Sequence, residues 1–164
     1  MINDLVFDTH ILSEFIWQYF TNDLRGNGLL ARSNIITDER QKAINDIILE
    51  YNNEGTFSKG LIITSAFSVI EIARKFDIIA FQKFTSSQFK IFLEELPEYF
   101  HIAPLEKALS FHLHKVPKVV YDGSTQKPIE LPDAIHCATY FSRDSATLIT
   151  NDARIKRIEN INCL

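Results

Sequence analysis

Four acids stand where strand–helix geometry can bring carboxylates together. Asp8 follows the apolar run Ile2 to Phe7, and Glu71 lies inside the helix-forming stretch AFSVIEIARKF. Asp133 follows Pro132 at the head of another helical stretch, and Asp152 comes just after the β-rich run Ala146 to Thr150. Carboxylates gathered in one dry crevice raise one another's pKa and cost stability unless a cation neutralises them. Oxygen donors without thiolates or a histidine pair suit Mg2+ or Mn2+ better than Zn2+. Mg2+ keeps several waters, which leaves room for phosphate oxygens and an attacking water, the equipment of phosphodiester hydrolysis. The plain alternative stays open: Glu71, between Ile70 and Ile72, can simply face solvent.

The elements that must position these acids read as alternating strands and helices. Ile2 to Phe7 is a short buried strand, followed by Asp8 and by Ile11, Leu12, Phe15, Ile16 and Tyr19 at helical spacing. Asn22 to Asn34 is a glycine-containing loop, and Thr37 caps a helix that carries Ile44, Ile47, Ile48 and Tyr51. Leu61 to Thr64 is the second strand, with Ser65 as cap of the helix that holds Glu71. Thr85 to Ser87 caps a further helix closed by Pro97, Phe100 to Ala103 is the third strand, and Pro104 opens a helix running to about Lys115. Pro117 to Glu130 reads as a hairpin or flap, because Asp122-Gly123 is a strong turn signal. The unit Ile129 to Asp152 then gives a helix with Ile135, Ala138 and Phe141 on its buried side, and a strand. A short helix, Ala153 to Ile158, and a last strand, Ile161 to Leu164, finish the chain. This alternation predicts one α/β domain over residues 1–164 with a mainly parallel sheet, whose ligands gather beyond the strands' C-terminal ends.

Composition fits that reading. The chain has 164 residues, 46% apolar and 23% charged, enough for one domain with a core rich in its 13 phenylalanines. No apolar run reaches the roughly 20 residues that span a bilayer. MINDLVFD shows no basic region followed by an apolar stretch, and Cys137 and Cys163 stand in no metal-binding or redox spacing. A cytoplasmic protein with reduced thiols is the expectation. A net charge of −4 gives no bulk attraction to nucleic acid but is compatible with phosphate held through a metal.

Four motifs, LVFDTHIL around Asp8, ITSAFSVIEIAR around Glu71, LPDAIHCAT around Asp133 and LITND around Asp152, occur in the order found in PIN-domain nucleases. The chain resembles that family, including the VapC-like toxins of toxin–antitoxin pairs, over essentially its whole length. The resemblance implies a three-layer α/β/α fold with a five-stranded sheet ordered 3-2-1-4-5. It implies a Mg2+- or Mn2+-dependent endoribonuclease that leaves a 5′-phosphate and a 3′-hydroxyl, with Asp8, Glu71, Asp133 and Asp152 as catalytic and metal-binding residues. Thr9 and Thr150 would orient a ligand or a water. An antitoxin protein and a homodimer are the implied partners, with RNA as substrate and no membrane. Three features depart from the family pattern: the insertion at 20–60 between Asp8 and Glu71, the flap at 117–130, and His10 in place of a small polar residue.

Two other readings stand beside this one, a non-catalytic PIN-like module that binds RNA or protein, and a housekeeping RNA-processing nuclease. Other residues take plainer roles. His112 and His114 are two apart on a helix and face different ways, so they form no zinc pair. His136 and Cys137 read as structural, Asp144 as a turn residue, and Arg154, Lys156 and Arg157 as a basic cluster for RNA phosphates or a solvated face. Some apolar residues of the first two helices can instead form a dimer surface or receive an amphipathic antitoxin helix.

Overall fold

The computed structural model describes residues 3–13, 60–79 and 100–164, together with Glu39 and Glu94. The loop read at 22–34, the helices read from Thr37 and from Thr85, and most of the apolar face read on the first helix lie outside the described residues.

Strand β1 (Asp4–Phe7) sits between β2 (Ile62–Ser65) and β6 (Ala146–Ile149), and β3 (His101–Ala103) lies beyond β2. All pairings in this four-stranded sheet, ordered β3-β2-β1-β6, are parallel, with Phe7 opposite Thr64 on one side and Ile149 on the other. Parallel strands covered on both faces read as continuous apolar runs, and β2 and β6 are buried at every position. The fold is therefore α/β with a parallel sheet, as the alternation of elements predicts.

Helical residues 9–13 (α1) follow β1, and α2 (Ala66–Ile79) follows β2. The Ser65 side chain caps α2 as predicted, its Oγ accepting the Ser68 N–H at 3.0 Å. Helices α3 (Lys107–Leu113) and α4 (Leu131–Phe141) pack together over one face of the sheet. There Val6, Ile63 and Leu148 meet Cys137, Ala138, Ile155 and Ile158 in one buried cluster. Phe7 points to the opposite face, where it meets the edge of Phe100 at a centroid distance of 5.5 Å.

Several boundaries shift from the sequence reading. Pro104 does not open a helix: two residues intervene, and α3 begins at Lys107 after an extended Glu106. The closing helix is a single 3-10 turn, Ile155–Arg157. The final segment contributes one parallel bridge, Leu148 to Cys163, rather than a full strand. The flap is a genuine hairpin, β4 (Val119–Asp122) with β5 (Thr125–Pro128), paired only with itself. Its turn centres on Gly123-Ser124, and Gly123 has φ +61, the left-handed value that the first position of a II′ turn needs. Among the described residues, no helix is long and apolar enough to cross a membrane.

The remote end of the sheet has its own lock. Asp4 accepts the Leu61 N–H at 2.9 Å and pairs with Arg143 Nε at 2.8 Å, tying β1, β2 and the α4–β6 turn together. Neither cysteine forms a disulfide. Cys137 is fully buried, and burial, with smaller contributions from Cys163 and Asp133, pushes its thiol pKa up to about 12. The thiolate is the reactive form, so in the native protein a thiol reagent is expected to label Cys163 first. Cys137 should react only on unfolding. Mass spectrometry of the modified peptides checks this, and rapid native labelling of Cys137 would refute it.

Candidate functional site

Because β1 and β6 are parallel neighbours, the residues that follow them leave the sheet at the same edge, and β2 delivers α2 to that edge from the other side. Asp8 is buried directly after β1, and its Oδ1 accepts the Ile11 N–H at 2.8 Å, capping α1. Asp133 sits in the first turn of α4, half-buried, where a helix N-terminus favours negative charge. Asp152 follows β6 and is held by its own loop: its N–H donates to Thr150 Oγ1 at 3.0 Å, and its Oδ1 accepts the Arg154 N–H at 2.7 Å. Thr150 thus orients the backbone of Asp152.

The four acids fall into two adjoining groups. Asp133 and Asp152 share Arg154, whose Nη2 lies 2.8 Å from Asp133 Oδ2 and 2.5 Å from Asp152 Oδ2. Arg154 Nε also donates to both Asp152 oxygens, at 3.1 and 3.2 Å. The two acids feel this cation differently. Side-chain hydrogen bonds from Arg154 hold the Asp152 carboxyl below the usual carboxylate range. Burial pushes Asp133 up despite Arg154, and the charges of Asp152 and Asp8 push it the same way. Three of the predicted acids therefore share one electrostatic field.

Glu71 belongs to the second group. It does not simply face solvent: its Oε2 accepts the Thr9 hydroxyl at 2.7 Å. With that hydrogen given to Glu71, Thr9 Oγ1 is left to accept from His136 Nε2, 3.2 Å away, which sets the imidazole tautomer. Ser68 completes the network, its Oγ 3.2 Å from Thr9 Oγ1, 3.5 Å from His136 Nδ1 and 3.0 Å from Ser65 Oγ. His136 is thus a member of the site's polar network rather than a purely packing residue. It joins the two acid groups, since Asp8 and Glu71 both act on it electrostatically. Among the described residues no three or more His, Cys, Asp or Glu side chains are drawn together as a metal nest.

Ser68, His136 and Arg154 are the members that sequence reasoning undervalued. One signal was available: Ser68 and Glu71, and likewise Asp133 and His136, are spaced by three and share a helix face, with Ser65 three residues before Ser68 as the cap. Arg157 is also engaged, pairing with Asp122 Oδ1 at 2.7 Å and donating to the Tyr121 carbonyl at 3.1 Å, so it anchors the hairpin. A pocket of about 450 Å³ beneath β4, lined by Lys115, Tyr121, Arg157 and Asn160 among others, contains none of the four acids.

The buried imidazole makes a pH prediction. Burial holds the His136 pKa below its ordinary value, against the pull of Asp8 and Glu71. The unfolded chain then binds a proton near pH 6.5 that the folded chain refuses, so stability is full above that pH and falls as the pH drops toward the folded-state pKa. The slope from this one group is at most about 1.4 kcal/mol per pH unit. Melting temperatures between pH 7.5 and 5.5 should fall for the wild type and fall less for His136→Gln; equal slopes would refute this.

A scan of family models, a search of curated proteins and a search of solved structures each returned no match. The functional reading therefore rests on the motifs and on the site itself.

Proposed function

We propose that the chain is a PIN-type, Mg2+- or Mn2+-dependent endoribonuclease, the toxin half of a toxin–antitoxin pair. The observation that carries this is the Arg154 bridge between Asp133 and Asp152 at the C-terminal edge of a parallel sheet, with Asp8 buried after the neighbouring strand and Glu71 joined through Thr9 to His136 on the helix of Asp133. The finer sheet order 3-2-1-4-5 belongs to the same proposal, and the Leu148–Cys163 bridge beside β6 supports it.

The residues present fit a divalent cation. The donors are all oxygens, the ligands that suit Mg2+ or Mn2+, and Asp133 and Asp152 already hold one cationic group, the Arg154 guanidinium, between them. Asp8, Asp133 and Asp152 would hold the ion, with Glu71 completing the set. When bound, Mg2+ or Mn2+ supplies Lewis-acid polarisation of a phosphoryl oxygen and an activated water. The chain's own residues do the positioning. The α1 cap fixes Asp8, Thr150 fixes the Asp152 loop, and Thr9, held by His136 and Ser68, fixes one oxygen of Glu71. A 5′-phosphate and a 3′-hydroxyl are the proposed product ends.

Expression of the wild type should arrest bacterial growth, and purified protein should cleave RNA when Mg2+ is added. Asp8→Asn should abolish both. RNA cleavage that persists in Asp8→Asn and in Asp133→Asn would refute the mechanism and leave an RNA- or protein-binding module as the alternative. Cleavage without growth arrest would favour a housekeeping nuclease.

A further inference from the structure

We propose that Arg154 is a built-in occupant of the cation position: its guanidinium holds Asp133 and Asp152 together and must yield when a divalent ion binds. The inference rests on the metal reading above. Arg154 lies on the loop after β6, two residues beyond Asp152, and its Nη2 reaches an oxygen of each carboxylate, Oδ2 of Asp133 at 2.8 Å and Oδ2 of Asp152. Nε grips Asp152 again at 3.1 Å, and Nη1 donates to the Pro128 carbonyl at 3.3 Å.

A planar fork of this kind suits two carboxylates as a spread positive charge, which a divalent ion would replace with a compact one. Both demand the same oxygens, and two cations this close repel each other. Binding of the ion and retention of the Arg154 bridge are therefore competing events, coupled as any two ligands of one site are. The contact to Pro128 extends the competition outward. Pro128 ends β5, so the guanidinium that guards the acids also ties down the base of the exposed hairpin. An entering ion that displaces Arg154 releases that tie as well. The arginine thus lowers affinity for free metal while keeping the acids from repelling each other in its absence.

The test is titration with Mn2+ alone, by calorimetry, of the full-length wild type, Arg154→Gln and Arg154→Lys. Arg154→Gln is expected to bind Mn2+ about tenfold more tightly, within the usual range of such couplings. It should also melt lower than the wild type in EDTA, with the deficit shrinking when Mn2+ saturates the site. Arg154→Lys keeps a charge but loses the added grip of Nε on Asp152 and of Nη1 on Pro128, so a smaller gain of about threefold is expected, and this variant carries the test if Arg154→Gln does not fold. Unchanged or weaker Mn2+ binding in the variants overturns the role of Arg154 while leaving the metal reading standing. Absence of Mn2+ binding in every protein, wild type included, overturns the metal reading and this proposal with it.

Discussion

Asp133→Asn is expected to lower Mg2+-dependent RNA cleavage by about 10²–10³-fold, the scale of the several kcal/mol that charge stabilisation at such a site supplies. The same change should leave the protein as stable as the wild type, or slightly more stable. The argument turns on which form of Asp133 the fold prefers. Burial, together with the charges of Asp152 and Asp8, raises its pKa even though Arg154 lies 2.8 Å away. A carboxyl whose folded pKa is raised loses stability as the pH climbs through that range, so at neutral pH its charge is a net cost to folding. The amide removes that cost and keeps an oxygen able to accept from Arg154. Asp152 has the opposite sign. Arg154 holds its pKa down, so its stabilisation is present above the ordinary carboxylate range and is lost as the pH falls through the lowered value. Asp152→Asn should therefore lose stability as well as cleavage. Cleavage assays and melting curves on the two variants check the pair. Equal destabilisation by both would refute this account of the charges, and intact cleavage by Asp133→Asn would refute the site.

This contrast marks what one chain of letters discloses. The positions of Asp8, Asp133 and Asp152 were readable because each adjoins an element with a clear period, and an acid next to a parallel strand's C-terminal end has few places to go. The parallel sheet was readable from the alternation of strands and helices, and the hairpin from its Asp122-Gly123 turn signal. What was not readable depends on side-chain partners far apart in sequence. Thr9 finds Glu71 and His136 across 62 and 127 positions, which no local pattern encodes. Arg154 looked like one member of a basic cluster, yet its neighbour Asp152 turns it inward onto Asp133. Weak helices were misjudged too. Pro104 favours a first helical turn, but no residue of α3 is buried, so little packing extends the helix back to it.

Phe7→Ala is the change expected to cost the most stability, about 3–5 kcal/mol of a total that for a domain is typically about 5–15. Phe7 is fully buried on the central strand, two strands deep on one side, with Thr64 and Ile149 as its cross-strand neighbours. Truncation removes the edge-to-face contact with Phe100 and opens a void that flanking strands cannot close without breaking register. One neighbour complicates the void. Thr64 Oγ1 is buried and has no hydrogen-bond partner among the described residues, so a water admitted to the space pairs with it and offsets part of the loss. For a chain of this length the melting temperature should drop by about 10 °C. Phe7→Leu, which keeps most of the volume, should lose less than half of that. Because Asp8 follows Phe7 directly and takes its place from β1, cleavage by Phe7→Ala should fail on heating well before cleavage by the wild type does, yet recover at low temperature. Asp133→Asn should recover at no temperature. A Phe7→Ala protein that melts within about 2 °C of the wild type would mean that β1 is not the centre of the core.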